Sequence, residues 1–301
     1  MGINTVSLFD GISCGRVALQ RAGIEVDNYF ASEINKQAIK VTQKNHPQTI
    51  QMGDVTKILD SDLDRLPQID LFIGGSPCQD LSAYKLGTTG VEGLEGQKSN
   101  LFYQYERIWK YTKPKYFLLE NVPMDKQWED IITELLGVEP IMINSELVSA
   151  ALRKRLYWTN IPFDGLPEDK GVLLKDIVVP SHLVPDKYWY NDRPYTYNGD
   201  DKKVQCTMEG KGWHRQMKEV YNLNSKCNTL LADGDGGHRT KKIYQDGRCR
   251  RLIPIEYERL QTLDDNYTEG ISDSARYSAI GNGWTVDVIA HIFKGLDFSS
   301  R

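Results

Sequence analysis

The sequence predicts an α/β protein: a doubly wound, Rossmann-like, mainly parallel sheet with a small loop-rich inserted lobe. Over the first 160 residues, short β-rich runs alternate with helical patterns, which is the order a parallel sheet with crossover helices requires. Several of those runs end in glycine or an acid. From about residue 163 to 248, Pro, Gly, Asn, Asp and Tyr dominate and helical periodicity disappears.

Residues 4–9 read as a strand, 15–21 as a helix, 28–31 as a strand and 35–44 as a helix. An apolar run over 69–73, closed by Gly74 and Gly75, leads into a polar loop reaching Lys98. A helix over 100–111, a buried strand over 115–119, a helix over 126–136 and a strand over 155–159 follow. Helical patterning returns at 254–261 and at 285–293, where Val286, Val288, Ile289 and Ile292 share one face. The expected division is a first domain over 1–164, an inserted loop-rich lobe over 165–248, and a return segment over 249–301. The last helix of that segment is expected to pack on the first domain.

Composition narrows the function. With 301 residues, 40% hydrophobic and 26% charged, the chain is long enough for about two domains and far from the disordered range. No apolar stretch approaches membrane-spanning length, and the opening residues run straight into a strand, so neither a span nor a secretory leader is expected. Five cysteines without a Cys-x-x-Cys pair argue against a disulfide framework and a zinc site, and for a reducing, cytoplasmic setting. Net charge is −4, yet residues 193–251 hold thirteen Lys and Arg against seven Asp and Glu. One lobe is therefore basic, a feature compatible with a nucleic-acid partner or with an ordinary solvated surface.

The first strand runs into Phe9, Asp10, Gly11, Ile12, Ser13, Cys14 and Gly15 and then a helix, the turn where nucleotide-like ligands sit in doubly wound sheets. The second strand ends at Glu33, placed to accept from ribose hydroxyls, and Asp54 follows the third. Gly74-Gly75-Ser76-Pro77-Cys78-Gln79 comes directly after an apolar strand, and Pro77 restricts Ser76 to extended conformations. A thiol so presented looks like a nucleophile rather than a core cysteine. One strand later, Glu120-Asn121-Val122-Pro123 puts a carboxylate at the end of an apolar strand, where burial can favour its protonated form. Arg153 and Arg155, two apart, are expected on one face of a strand.

In this order and spacing the chain resembles the DNA (cytosine-5) methyltransferases over almost its whole length. Residues 9–15 match the first cofactor motif, Glu33 the ribose-binding acid, Asp54 the adenine-binding acid, and Gly75 to Gln79 the nucleophile loop. Ser99 to Phe102 fit the next motif, Glu120 to Val122 the catalytic acid, and Arg153 and Arg155 the paired arginines. Thr229-Leu230 is similar to the recognition-region dipeptide, Arg250 to Leu252 with Glu258 to Gln261 to the penultimate motif, and Gly281-Asn282-Gly283 to the last. Ser13 departs from the second glycine of the first motif, and Ala151 stands where most bacterial members carry Gln. With Trp284, these details resemble the branch of the animal de novo enzymes, in a compact bacterial or phage-type chain.

The resemblance implies methyl transfer from S-adenosyl-L-methionine to carbon 5 of a flipped-out cytosine in double-stranded DNA, by a protein expected to be monomeric. It implies Cys78 as nucleophile, Glu120 as acid, and Arg155 and Arg153 as supports. The cofactor residues it implies are Phe9, Asp10, Gly11, Ile12, Gly15, Glu33, Ile34, Asp54, Val55, Pro77, Leu101, Asn282 and Trp284. For DNA, the expected contacts are Ser82, Lys226, Asn228, Thr229, Leu230, Arg239, Lys241 and Lys242. An RNA (tRNA) cytosine methyltransferase and a silent DNA-binding regulatory homologue are the alternatives.

Overall fold

Strand β1 (Ile3–Leu8) is buried on both faces: Val6 and Leu8 point one way, Thr5 and Ser7 the other, and none is more than 2% exposed. Burial on both faces is what helices covering a parallel sheet produce. The computed structural model describes residues 2–77, 101–210, 213–232 and 239–299. Two units emerge, one of residues 1–144, 154–166 and 288–301, the other of 145–153 and 167–287.

In the first unit, helix α1 (Cys14–Arg21) leads to strand β2 (Val26–Ser32), helix α2 (Lys36–Asn45) and the two-residue β3 (Ile50–Gln51). The short helix α3 (Asp60–Leu63) precedes β4 (Leu71–Gly75). Helix α4 (Phe102–Thr112), β5 (Tyr116–Asn121), α5 (Lys126–Leu136), β6 (Ile141–Asn144) and β7 (Lys154–Thr159) complete the alternation. Their order is β3-β2-β1-β4-β5-β7-β6, with β1 to β5 parallel and β7 antiparallel to both neighbours. The chain order reverses between β1 and β4, so the carboxyl ends of these strands form the crevice where such sheets bind ligands. Phe72, Phe102, Tyr105, Leu119 and Trp158 centre the core. Gly74 is required there: a Cβ would lie 2.9 Å from the Tyr105 ring and 3.1 Å from the Leu8 carbonyl, so any side chain would push α4 off the sheet.

The second unit departs from the loop-rich expectation. It holds a five-stranded sheet of β8 (Tyr195–Tyr197), β9 (Val204–Met208), β10 (Glu219–Tyr221), β11 (Lys242–Gln245) and β12 (Arg248–Arg251), ordered β12-β11-β10-β9-β8. The sheet curls, because Tyr195 and Tyr197 of β8 meet Tyr244 of β11 at 6.0 and 5.7 Å between ring centroids. Short helices α6 (Leu174–Ile177) and α7 (Arg215–Lys218) flank it, and α8 (Pro254–Leu260) and α9 (Asp273–Asn282) follow. Residues 249–287, expected in a separate return segment, group with this unit: β12 pairs with β11 along its length, and the Arg250 guanidinium is fully buried against Glu256 of α8 at 2.6 Å. Helix α10 (Val286–Phe293) carries the chain back, and from Val288 onward the residues group with the first unit.

Candidate active site

The turn after β1 is wound tightly. Phe9, Gly11 and Ser13 all have positive φ, at 56, 58 and 59°. Gly11 adopts this freely, and a Cβ there would meet nothing within 4 Å, so the turn faces open space. Its backbone N–H donates to Glu33 Oε2 at 2.8 Å, while Ile34 and Asn35 N–H donate to Oε1, each also at 2.8 Å. Glu33 therefore ties the first turn to the end of β2. Ile34 beside it is 71% exposed, an apolar surface facing out next to a carboxylate. Asp54 caps the turn 55–57, accepting from the Thr56 N–H and hydroxyl, bonds that hold its carboxyl below the usual range. Ile12, Gly15 and Val55 are buried beneath.

Two strands over, Gly75 is in register with Glu120 across β4 and β5. The next residue, Ser76, accepts a hydrogen bond from the Asn121 amide at 3.0 Å, and Pro77 follows. Arg155, on the adjacent β7, places Nε 2.7 Å from Glu120 Oε1, with both side chains close to 10% exposed. In so dry a place a charge-assisted pair fixes the carboxylate's orientation. Leu101 packs against the core at the start of α4. Cys78 and Ser82 lie outside the described residues.

Arg153 corrects the sequence reading. It precedes β7 rather than sharing a face of it with Arg155, and its guanidinium donates to the Gly281 and Gly283 carbonyls at 3.3 and 3.0 Å. Gln261, which sequence reasoning did not single out, donates to the Ile280 and Gly283 carbonyls at 3.0 and 2.9 Å and accepts from Thr285. Together the two side chains clamp the segment that presents Asn282 and Trp284. The only advance signal was Gln261's place in the penultimate motif.

Most of the expected DNA readers in the second unit are committed internally. Lys241 and Lys242 are 2% and 0% exposed, and Lys242 Nζ donates to the Met217 and Thr240 carbonyls. Burial pushes Lys242 down to about 7. Neither lysine is a surface contact in this conformation. Leu230 is buried, Thr229 donates to the Leu152 carbonyl, Asn228 to Glu219, and Lys226 to the Glu146 carbonyl. Arg239 is half-buried. An open cleft of about 630 Å³ lies elsewhere in the unit, lined by Trp189, Tyr190, Arg193, Glu209 and Trp213 among others. The Arg193 guanidinium lies over the Trp213 ring, 4.4 Å from its centroid, a cation–π contact.

The model of the C-5 cytosine-specific DNA methylases matches residues 3–130 and 167–297. The chain belongs to that family. Type II methyltransferase M.NlaX of Neisseria lactamica is 28% identical over 310 residues, covering 95% of this chain and 94% of the relative. Type II methyltransferase M.HhaI of Haemophilus parahaemolyticus is 25% identical, covering 97% and 93%. Among solved structures, Entamoeba histolytica methyltransferase EhMeth superposes with a TM-score of 0.76 at 18% identity, covering 98% of each chain, a likeness of fold. This methylase transfers a methyl group to carbon 5 of cytosine in DNA. Among the described residues no helix is long and apolar enough to cross a membrane.

Within the methylase's first unit, the structure thus brings together the turn 9–13 with Glu33, and Glu120 with Arg155 and the Ser76–Pro77 step. Asn282, Trp284 and Arg153 belong to the second unit.

Proposed function

We propose that this methylase draws its methyl group from S-adenosyl-L-methionine and acts on a cytosine turned out of duplex DNA, with Cys78 adding to the ring. The observation that carries the reading is the Glu120–Arg155 pair, 2.7 Å apart, at the strand end beside the turn that leads into Cys78. The open, left-handed turn at Gly11, the Glu33 and Asp54 carboxylates at successive strand ends and the exposed Ile34 fit a donor carrying ribose and adenine. Bound there, S-adenosylmethionine supplies an electrophilic methyl on a sulfonium.

Carbon 5 of cytosine is a poor nucleophile. The Cys78 thiolate adds to carbon 6 while Glu120 holds a proton at ring N3, and the displaced electron pair makes carbon 5 enamine-like. Arg155 keeps the Glu120 carboxyl aimed at that nitrogen. Once carbon 5 has taken the methyl, with the donor's thioether as leaving group, the carbon-5 proton leaves to a base, the carbon 5–carbon 6 double bond re-forms, Cys78 is expelled as thiolate and N3 returns its proton to Glu120. Carbon 6 is inaccessible in a stacked duplex, so the base must be extruded at a cost of about a few kcal/mol. The second unit is the source of the compensating phosphate and base contacts. The cytoplasm of a bacterial or phage-infected cell is the setting this reading favours, with the methylase acting as a monomer.

Labelled methyl transfer from S-adenosylmethionine tests this reading. Duplex DNA is expected to take the label and tRNA not, and bisulfite sequencing of a randomised duplex is expected to place it on cytosine in one sequence context. Equal labelling of tRNA would bring RNA in as a substrate beside DNA, and no labelling of either would overturn the reading of the donor and of Cys78. Glu33→Ala and Asp54→Ala should each weaken donor binding about tenfold, while the rate at saturating donor changes less than about threefold. Equilibrium binding and initial rates separate the two effects.

A further inference from the structure

Ser13 stands at φ 59°, ψ 39°, a left-handed conformation that disfavours any side chain, at the position where the family resemblance expects glycine. Its hydroxyl is fully buried and donates to Asp10 Oδ2. Two more hydroxyls converge on the same carboxylate: Ser7 of β1 at 2.6 Å and Tyr29 of β2 at 2.9 Å, both on Oδ1. Ser13 Oγ also lies 3.0 Å from the Thr42 hydroxyl of α2, which reaches the Gly11 carbonyl. The Asp10 carboxylate is therefore the common acceptor joining two strands to the turn.

We propose that Asp10 is a positioning residue for the methyl-donor turn: by gathering Ser7, Ser13 and Tyr29 it holds Ser13 left-handed at the end of that turn, replacing by hydrogen bonds the freedom a glycine at 13 would have brought. This rests on the reading that the turn binds S-adenosylmethionine.

The arrangement predicts a pH dependence. An ionised carboxylate accepts from all three hydroxyls, whereas a protonated one must itself donate, so one hydroxyl loses its acceptor and the turn loosens. Burial, partly offset by the three hydroxyls and reinforced by the Glu33 charge, pushes Asp10 up to about 6. Arg16 of α1 lies 5.7 Å over the Tyr29 ring, and its charge in turn acts on His46 after α2. Burial and then the Arg16 charge push His46 down to about 4, so it stays neutral through the window in which Asp10 titrates. Donor affinity should therefore fall as pH drops through about 6. Stability runs the other way. Because the folded carboxyl is raised above its unfolded value, ionising Asp10 removes native stability as pH rises from about 4 to about 6. Asp10→Asn cannot ionise, so above pH 6 it should melt no lower than the unaltered chain while binding donor less well, a split that a merely structural role does not produce.

The test is equilibrium binding of S-adenosylmethionine to the full chain from about pH 5 to about pH 8. The unaltered chain should show an acid limb near pH 6. Asp10→Asn should bind about tenfold more weakly at the upper end, with that limb absent. Ser13→Ala, which keeps the charge but removes a hydroxyl from the strained position, should lose affinity similarly and serves where Asp10→Asn does not fold. In a Ser13→Gly background, Asp10→Asn should cost less than about threefold, because glycine adopts the conformation unaided. Failure of the unaltered chain to bind the donor at any pH overturns the cofactor reading and this proposal with it. Donor binding by Asp10→Asn, or by Ser13→Ala, as tight as that of the unaltered chain overturns the proposal alone and leaves the cofactor reading standing.

Discussion

Cys78→Ala is expected to abolish methyl transfer, a loss on the order of 10⁴-fold or more, as removal of a covalent nucleophile generally causes. Duplex DNA with 5-fluorocytosine at the target should trap the unaltered methylase as an adduct stable to denaturing gel electrophoresis, since fluorine cannot leave as the proton does. The variant should give no adduct. The structure sharpens this expectation by disposing of the other cysteines. Cys14, Cys206, Cys227 and Cys249 are at most 3% exposed. Desolvation pushes the Cys227 thiol up to about 11 and the Cys249 thiol up to about 12, and raises Cys206 as well. Buried thiols held protonated are poor nucleophiles. Cys206→Ala and Cys227→Ala should thus keep the adduct, at a stability cost of about 1 kcal/mol each. An adduct formed by Cys78→Ala would place the nucleophile elsewhere.

Glu120→Gln should lower the rate at saturating donor by roughly 10² to 10⁴, the range for losing a positioned acid, with donor affinity unchanged. Because Arg155 Nε lies 2.7 Å from the carboxylate, Arg155→Ala should act through the same step. The two losses should be strongly non-additive, the double variant falling within about 0.5 kcal/mol of the worse single one. Arg155→Lys should recover only part of the rate, because a flexible ammonium does not reproduce the planar donor at Nε. Additive losses in single-turnover rates would separate the two residues and leave Arg155 with another task.

Several site residues were legible because chemistry concentrates at strand ends, and strand ends in an α/β chain announce themselves. The apolar run before Gly74, the acids at 33 and 54, and the Glu120-Asn121 step each follow a strand whose periodicity is local. Helix α5 falls at the bounds its pattern predicts, Lys126–Leu136. The first turn was legible as a ligand turn, but the reason Ser13 is tolerated there was not, since it depends on Tyr29 and Thr42 arriving from other elements.

What the sequence by itself determined is the parallel α/β framework, the order of its motifs, and through them the family. Those signals lie within a strand, a turn or a few neighbouring residues. Tertiary structure alone decided the second unit and the fate of its cations. Strands β8 to β12 are three to five residues long, and β10 pairs in parallel with β11 only after a twenty-residue excursion, so no local period marks them. Lys241 and Lys242 read as DNA contacts, and with Arg250 they count towards the basic charge of residues 193–251, yet all three are buried. Arg250 is neutralised by Glu256, and Lys242 is satisfied by two carbonyls. Likewise Arg153 and Arg155, two residues apart, serve different partners because β7 begins between them. Whether a charge faces solvent depends on partners distant in the chain, and only the folded molecule supplies them.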